Sequence, residues 1–351
     1  MRVLDEGMTV TPHDLFADPG LFLYEIDGGD AIFQTMTREQ FARSIFLDGR
    51  IRHGNLPNFR IPLPQLLAAA EKAAIPARRI GWIFHVAQCG STLLARALDL
   101  PGRSLVLREP AALRRLGVMA GGGAGAAPEE PLLGAVAGLL GKRWEADRPV
   151  IVKANVPVNF IAERLLARDP QAPAILLHFP LAHYAAAILR TEGHVRWTEG
   201  VFAELRLAES PWCAAEPPAS PAEKAAALWF AQMKVFERLL GEFAQVRSLD
   251  ATHLFDRPAE TVAAAARLFG VELAEGEARA IAGGELFHSY SKNPALDYDP
   301  EVRLAREAEA MRRLESELAE ARAWAEAARD RHGLAVALDR PLVGEPVPLL
   351  T

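Results

Sequence analysis

Along this chain, short β-favouring apolar runs alternate with longer helix-favouring stretches, and the alternation starts at Arg79. The first run, Gly81-Trp82-Ile83-Phe84-His85-Val86, predicts a strand. A turn over Gln88 to Gly90 follows it, then a helix from Ser91 to Leu100 that is stopped by Pro101-Gly102. Four more strands are predicted at Ser104–Leu107, Val150–Lys153, Ala174–Leu177 and Val246–Leu249. Helices are expected behind Pro157, over Ala222–Phe243, and from Arg257-Pro258 to Gly270. Strands that alternate with helices, without an internal repeat, imply a mainly parallel central sheet with helical crossovers, an α/β fold. A last amphipathic helix is predicted over Glu301–His332, with Leu304, Met311, Leu314, Leu318 and Trp324 on or near one face. That stripe suits core packing, or contact with a second copy in a homodimer, better than a ligand.

Outside this grammar the pattern is weaker. Residues 1–75 mix short apolar pieces with Pro12, Pro19, Pro57, Pro62 and Pro64 and give no period that would fix a strand order, so they are read as a lead-in or cap. The run from Ala120 to Pro128 is glycine- and alanine-rich and is read as a flexible excursion. Glu204 to Pro221 is proline-spotted and irregular. The expected division is therefore a cap over 1–75, an α/β domain over 76–300, and a C-terminal helix and tail over 301–351.

Composition changes the picture by exclusion. Half of the 351 residues are apolar and a quarter charged, enough for a sizeable core. A net charge of -6 creates no field for a polyanion, so nucleic acid is not the expected partner, although a local basic pocket can still hold a small phosphate ester. Two cysteines, Cys89 and Cys213, cannot build a disulfide framework, and the histidines lack metal-ligand spacing, so no metal is expected. The opening residues lack the apolar core of a signal peptide. The most apolar run, Ile175 to Leu189, is broken by His178, Pro180 and His183 and is short for a membrane span. A soluble, cytoplasmic protein is the expectation.

The candidate chemistry gathers at strand ends. A helix that begins directly after a glycine turn aims unpaired backbone N–H groups at the loop, so Gln88, Cys89, Gly90, Ser91 and Thr92 are candidates for holding a nucleotide phosphate. The triphosphatase loop G-x-x-x-x-G-K-[ST] is not met, because its places fall on His85, Gly90, Ser91 and Thr92, without the first glycine or the lysine. The cysteine-phosphatase spacing C-x5-R is also missed, since Arg96 comes one residue late, and Cys89 reads as a small buried residue beside the loop. Lys153 ends one strand and can clamp an anion or be a solvated strand-end lysine. Glu109, at a neighbouring tip, can take a proton from an acceptor or merely pair with Arg108.

These residues carry a family resemblance. Gln88-Cys89-Gly90-Ser91-Thr92-Leu93-Leu94 resembles the sulfotransferase loop [KR]-S-G-T-T-[LW]-L, and Val152-Lys153-Ala154-Asn155-Val156-Pro157 is similar to that family's K-T-H-L-P segment. Leu107-Arg108-Glu109-Pro110 lies where bacterial and protein-tyrosine sulfotransferases carry a glutamate base. The stretch Val246 to Pro258, with the helix into Leu268-Phe269-Gly270-Val271, looks like the R-Y-E-D-L-x-x-x-P segment and its "FLG" helix end. The resemblance runs from about Ile80 to about Leu273. It implies a three-layer P-loop fold and transfer of a sulfuryl group from 3′-phosphoadenosine-5′-phosphosulfate (PAPS) to a small-molecule hydroxyl or amine, with Glu109 as base. The chain departs from the family at Gln88 (a cation in the family), at Leu181 and Ala186 (an arginine and a serine for the 3′-phosphate), and at Asn155 (the histidine base). Lys292 is the candidate replacement cation. Two other readings stand beside this one: another P-loop transferase or kinase, and a catalytically silent nucleotide-binding protein.

Overall fold

A computed structural model describes the chain except for residues 1, 4–8, 52–57, 74–77, 122–127, 291–292 and 298–299. Lys292 and most of the glycine-rich stretch therefore lie outside the described residues. Among the described residues no helix is long and apolar enough to cross a membrane.

The N-terminal region holds a regular sheet that its sequence pattern hides. Strands β1 (Leu21–Asp27), β2 (Asp30–Thr35) and β3 (Asn58–Pro62) pair antiparallel in that order. A bulge between Leu23 and Glu25 shifts the β1–β2 register, and Leu21, Phe22 and Leu23 are all buried in succession. An irregularity of this kind erases the period of two on which a strand reading depends.

Five strands build the central sheet: β4 (Ile80–His85), β5 (Leu105–Arg108), β6 (Val150–Lys153), β7 (Ala174–His178) and β8 (Val246–Asp250). All neighbours are parallel, in the order β8-β7-β4-β6-β5. Their side chains are buried almost without interruption, as expected for strands covered on both faces, and this is why they read as unbroken apolar runs. The flanking helices include α1 (Ser91–Ala97), α2 (Ala111–Gly121), α3 (Glu130–Leu140), α4 (Leu181–Leu189), α5 (Glu192–Glu204), α6 (Pro221–Glu242), α7 (Ala251–Asp256) and α8 (Pro258–Phe269). The α6 start is fixed by a capping box between Ser220 and Glu223, and α8 ends at Gly270, whose φ of 71° supplies the left-handed cap.

The single helix expected over Glu301–His332 is instead two, α9 (Pro300–Arg313) and α10 (Glu315–His332), interrupted at Leu314, whose φ/ψ of -105°/20° leaves the helical region. The break gives the halves different neighbours: α9 lies against α4, while α10 lies mainly against α6 and buries Trp324 there.

Both outer edges of the central sheet are covered by segments from its ends. Beside β8, Ser248 N–H donates to the Arg340 carbonyl (3.1 Å) and Leu342 N–H donates to the Ser248 carbonyl (2.7 Å). Beside β5, Leu47 N–H donates to the Arg108 carbonyl (2.7 Å). Arg108, 1% exposed, donates to the carbonyls of Phe41 (2.6 Å) and Ser44 (2.9 Å) and pairs with Asp99 (2.7 Å). Such coverage removes the unpaired row of polar groups that an open edge exposes.

Helix α2 is positioned by one close approach. A Cβ on Gly117 would lie 2.5 Å from the Pro157 carbonyl carbon and 2.7 Å from the Val158 nitrogen, both backbone atoms of the 3-10 turn Val156–Ile161. Gly117→Ala is therefore expected to destabilise the fold by about 1–3 kcal/mol through overpacking. Chemical denaturation checks this, and an unchanged midpoint would contradict the contact.

Candidate active site

In a parallel sheet every strand delivers its carboxyl end to one edge, where ligands gather. Here that edge receives His85 from β4, Glu109 just past β5, Lys153 from β6 with Asn155 just past it, and His178 from β7. A cavity of about 880 Å³ opens over it, lined by Gln88, Gly90, Ser91, Thr92, Glu109 and Asn155 among others.

Glu109 is the hub of one end. Its carboxylate takes the Lys153 ammonium in a short ion pair, accepts from Asn155 Nδ2 at 3.3 Å and from Arg50 at 3.3 Å, and faces His85 Nε2 at 3.8 Å. Lys153 is 1% exposed, so it is not a solvated strand-end lysine, and it meets the cavity-lining Glu109 in an ion pair. Arg108, weighed as Glu109's partner from sequence, points to Asp99 instead. Burial alone would raise the Glu109 pKa, but the Lys153 ammonium, with His85 and Arg50, outweighs it and holds the group down at about 2. Glu109 has a φ of 56°, a left-handed conformation that costs a non-glycine residue about 1–2 kcal/mol. Its N–H donates to the Lys153 carbonyl (2.8 Å), which fixes it there.

The glycine turn forms the middle of the cavity. Ala87, Gln88 and Gly90 all have positive φ, 74°, 51° and 80°. Ala87 N–H donates to His85 Nδ1 at 3.0 Å, so Nδ1 is occupied as an acceptor and Nε2 is the nitrogen that faces Glu109. Gly90 admits no side chain, since a Cβ there would lie 2.9 Å from Leu254 Cδ2 and 2.9 Å from Phe255 Cζ. Thr92 is 2% exposed and lines the cavity, and its Oγ1 has no hydrogen-bond partner among the described residues. A buried hydroxyl without a partner is costly unless something else satisfies it. Cys89 differs from its neighbours: its thiol is fully buried, 3.7 Å from the Leu177 carbonyl, and it does not line the cavity.

At the other end the cavity is aromatic and basic. Phe179 stacks on His183 (centroids 5.7 Å apart) and on Phe255 (6.3 Å), and the Arg303 guanidinium lies 4.5 Å over the Phe255 ring. Arg190, Arg303, Arg306 and Arg313 line this end, together with Ala186, the position at which the resemblance lacks a serine. Leu181, where the family's arginine is missing, is buried in α4. The sequence reading missed His85, Arg50 and these arginines. The signal for the last was present, because residues 303, 306, 310 and 313 share one face of a helix.

No protein-family model matches the chain, and no curated protein matches it. Among solved structures it is similar to a sulfotransferase from Alicyclobacillus acidocaldarius, with 15% identity, 72% of this chain and 99% of that one covered, and a TM-score of 0.37. It is also similar to the sulfotransferase domain from the Curacin biosynthetic pathway, with 13% identity, 64% and 84% covered, and a TM-score of 0.36.

The buried pair generates two expectations. Breaking one partner strands the other, so Lys153→Met and Glu109→Gln should each destabilise by about 3–5 kcal/mol. The double variant should lose less than the sum of the two, and strict additivity in denaturant titrations would show the pair to be uncoupled. Because the folded pKa of Glu109 lies below its ordinary value of about 4.3, its stabilisation is complete above that value and is lost as pH falls toward about 2. Glu109→Gln should flatten this acid limb of the stability profile, and a limb of unchanged slope would assign the acid sensitivity elsewhere.

Proposed function

We propose that this chain transfers a sulfuryl group from PAPS to the hydroxyl or amine of a small molecule. The observation that carries this reading is the meeting, in one cavity, of the glycine turn and Thr92 in the first turn of α1, whose hydroxyl is unpartnered among the described residues, with Glu109, the carboxylate that pairs with Lys153. The turn and hydroxyl suit the donor's phosphate. The pair suits proton removal from an acceptor.

In the reaction so proposed, the acceptor oxygen or nitrogen attacks sulfur as its proton passes to Glu109, the new bond to sulfur forms, and the sulfur–oxygen bond to the phosphate breaks with its electron pair leaving on the phosphate oxygen. A carboxylate held near pKa 2 is a weak base at rest, so proton transfer accompanies bond formation rather than preceding it. As Glu109 becomes neutral, the Lys153 ammonium loses its counter-charge and is left to balance the negative charge growing on the leaving group. Base and electrostatic stabiliser are thus one coupled unit. His85 and Arg50 adjoin the same carboxylate and limit where it can point.

The test is an assay with labelled PAPS against a panel of phenols, alcohols and amines, run beside a binding titration of the donor. Thr92→Val should weaken donor binding by about tenfold or more, since a hydroxyl bond to a charged oxygen contributes roughly 1.5–3 kcal/mol. Glu109→Asp keeps a counter-ion for Lys153 but withdraws the carboxylate by one methylene. It should lower turnover by about 10² or more with donor affinity unchanged. Donor binding without transfer to any acceptor would favour a silent nucleotide-binding protein, and magnesium-dependent turnover of ATP would favour another P-loop transferase.

A further inference from the structure

The N-terminal region reaches the carboxyl edge of the sheet through a short strip, residues 46–50, that lies outside the stretch resembling the sulfotransferases. Leu47 fixes it there. Its N–H donates to the Arg108 carbonyl (2.7 Å) and its carbonyl accepts from Ala111 N–H (3.1 Å), one bond on each side of Glu109. Phe46 and Asp48, which flank Leu47, are thereby held at the Glu109 end of the cavity, and all three of Phe46, Asp48 and Glu109 line it. Arg50 completes the group. Its guanidinium lies 3.5 Å from the centroid of the Phe46 ring, its Nε donates to both Asp48 oxygens (2.8 and 3.0 Å), and its Nη2 meets Asp48 again and lies 3.3 Å from Glu109 Oε2.

The two Glu109 oxygens are divided between neighbours: Oε1 takes the buried Lys153 ammonium, while Oε2 takes Arg50 and Asn155 Nδ2. A carboxylate only accepts, so the Asn155 amide turns its nitrogen toward it. Asn155 is 6% exposed and lines the same cavity, and its Oδ1 has no hydrogen-bond partner among the described residues. The Arg50 guanidinium thus rests among an aromatic face and acceptor oxygens, surroundings that suit a donor-only cation. Arg50 is also the least secured member of the group. Its side chain is 54% exposed, against 18% for Asp48 and 15% for Glu109, and ion pairs of an exposed arginine are weak. Its backbone N–H donates to Asp48 Oδ1 (3.0 Å), so the side chain can turn outward while the strip stays in place. Two carboxylates, Asp48 and Glu109, then face the Lys153 ammonium alone, and one monocation restores the balance.

We propose that Phe46, Asp48 and Glu109 Oε2 form a cation-binding site for the acceptor, which Arg50 fills as a stand-in and vacates when the acceptor enters. The acceptor class is then a small alcohol or phenol that carries an ammonium or guanidinium group, with Asn155 Oδ1 as a further acceptor for its N–H donors. Binding of the cation brings the neighbouring hydroxyl to Glu109, the base of the proposed transfer. This assignment rests on the sulfuryl-transfer reading given above and narrows its acceptor.

Calorimetric titration of methylguanidinium and of its uncharged isostere methylurea tests the site without any donor present. Arg50→Ala, with its melting temperature reporting that it is folded, should bind methylguanidinium about tenfold or more tightly than it binds methylurea, and than the parent binds methylguanidinium, the worth of one charge-assisted contact. Adding Asp48→Asn to Arg50→Ala should remove that preference, and adding Phe46→Leu should reduce it severalfold. With PAPS present, the parent should turn over aminobutanol with a kcat/KM about tenfold or more above that for pentanol, by the same contact. Equal binding of methylguanidinium and methylurea by Arg50→Ala, or a preference that survives Asp48→Asn, would overturn the site. Transfer to pentanol as readily as to aminobutanol would overturn its assignment to the acceptor. Absence of transfer to either alcohol, with the methylguanidinium preference intact, would remove the sulfuryl-transfer reading and the acceptor role with it, while the cation site stands.

Discussion

The ion pair between Lys153 and Glu109 is the constraint around which the carboxyl edge is arranged. A lysine that is 1% exposed cannot remain charged without a close anion, and Glu109 reaches it from the adjacent strand end only by adopting a left-handed backbone. That conformation turns the carboxylate toward the cavity, where Arg50 from the N-terminal region and Asn155 from the following turn complete its shell. One buried charge thus ties together three segments distant in sequence. Replacing the pair with apolar residues of similar volume would be compatible with the fold, so stability does not account for its presence at the mouth of a cavity.

The legible parts of the sequence were those governed by local rules. Five strand positions and the parallel arrangement followed from apolar runs, and the glycine turn at Gly90 and the helix end at Gly270 followed from backbone chemistry that only a few residues satisfy. The N-terminal sheet was not legible, because the bulge near Tyr24 breaks its alternation and proline marks its boundaries. The division of the last helix at Leu314 escaped as well. Leucine is a good helix former, and the interruption reflects the two surfaces that the halves pack against rather than any local breaker.

The site shows the same contrast. Gln88, Ser91, Thr92, Glu109 and Lys153 converge as strand-end logic suggests, because parallel topology brings all these ends to one edge. Arg50 and the arginines of α9 come from outside that topology. Nothing in the strand–helix grammar states where a peripheral helix will dock, so a row of arginines at helical spacing could have been read as an ordinary solvated face. Cys89 illustrates the opposite error of position: it belongs to the loop by sequence but directs its thiol into the core against Leu177.

The coverage of both sheet edges has a consequence for the order in which the molecule assembles. The β4–β7 and β7–β8 pairings join segments separated by up to about 90 positions, and the strip beside Ser248 is recruited from a similar distance, so each closure carries a loop entropy that must be met before its contacts repay it. The antiparallel hairpin and the helices form over much shorter spans. The basic wall contributed by α9 is therefore complete only when a segment about 120 positions along the chain has closed onto the end of α4. The glycine turn, by contrast, joins β4 directly to α1, so the two ends of the cavity differ in how much of the chain must be ordered to build them.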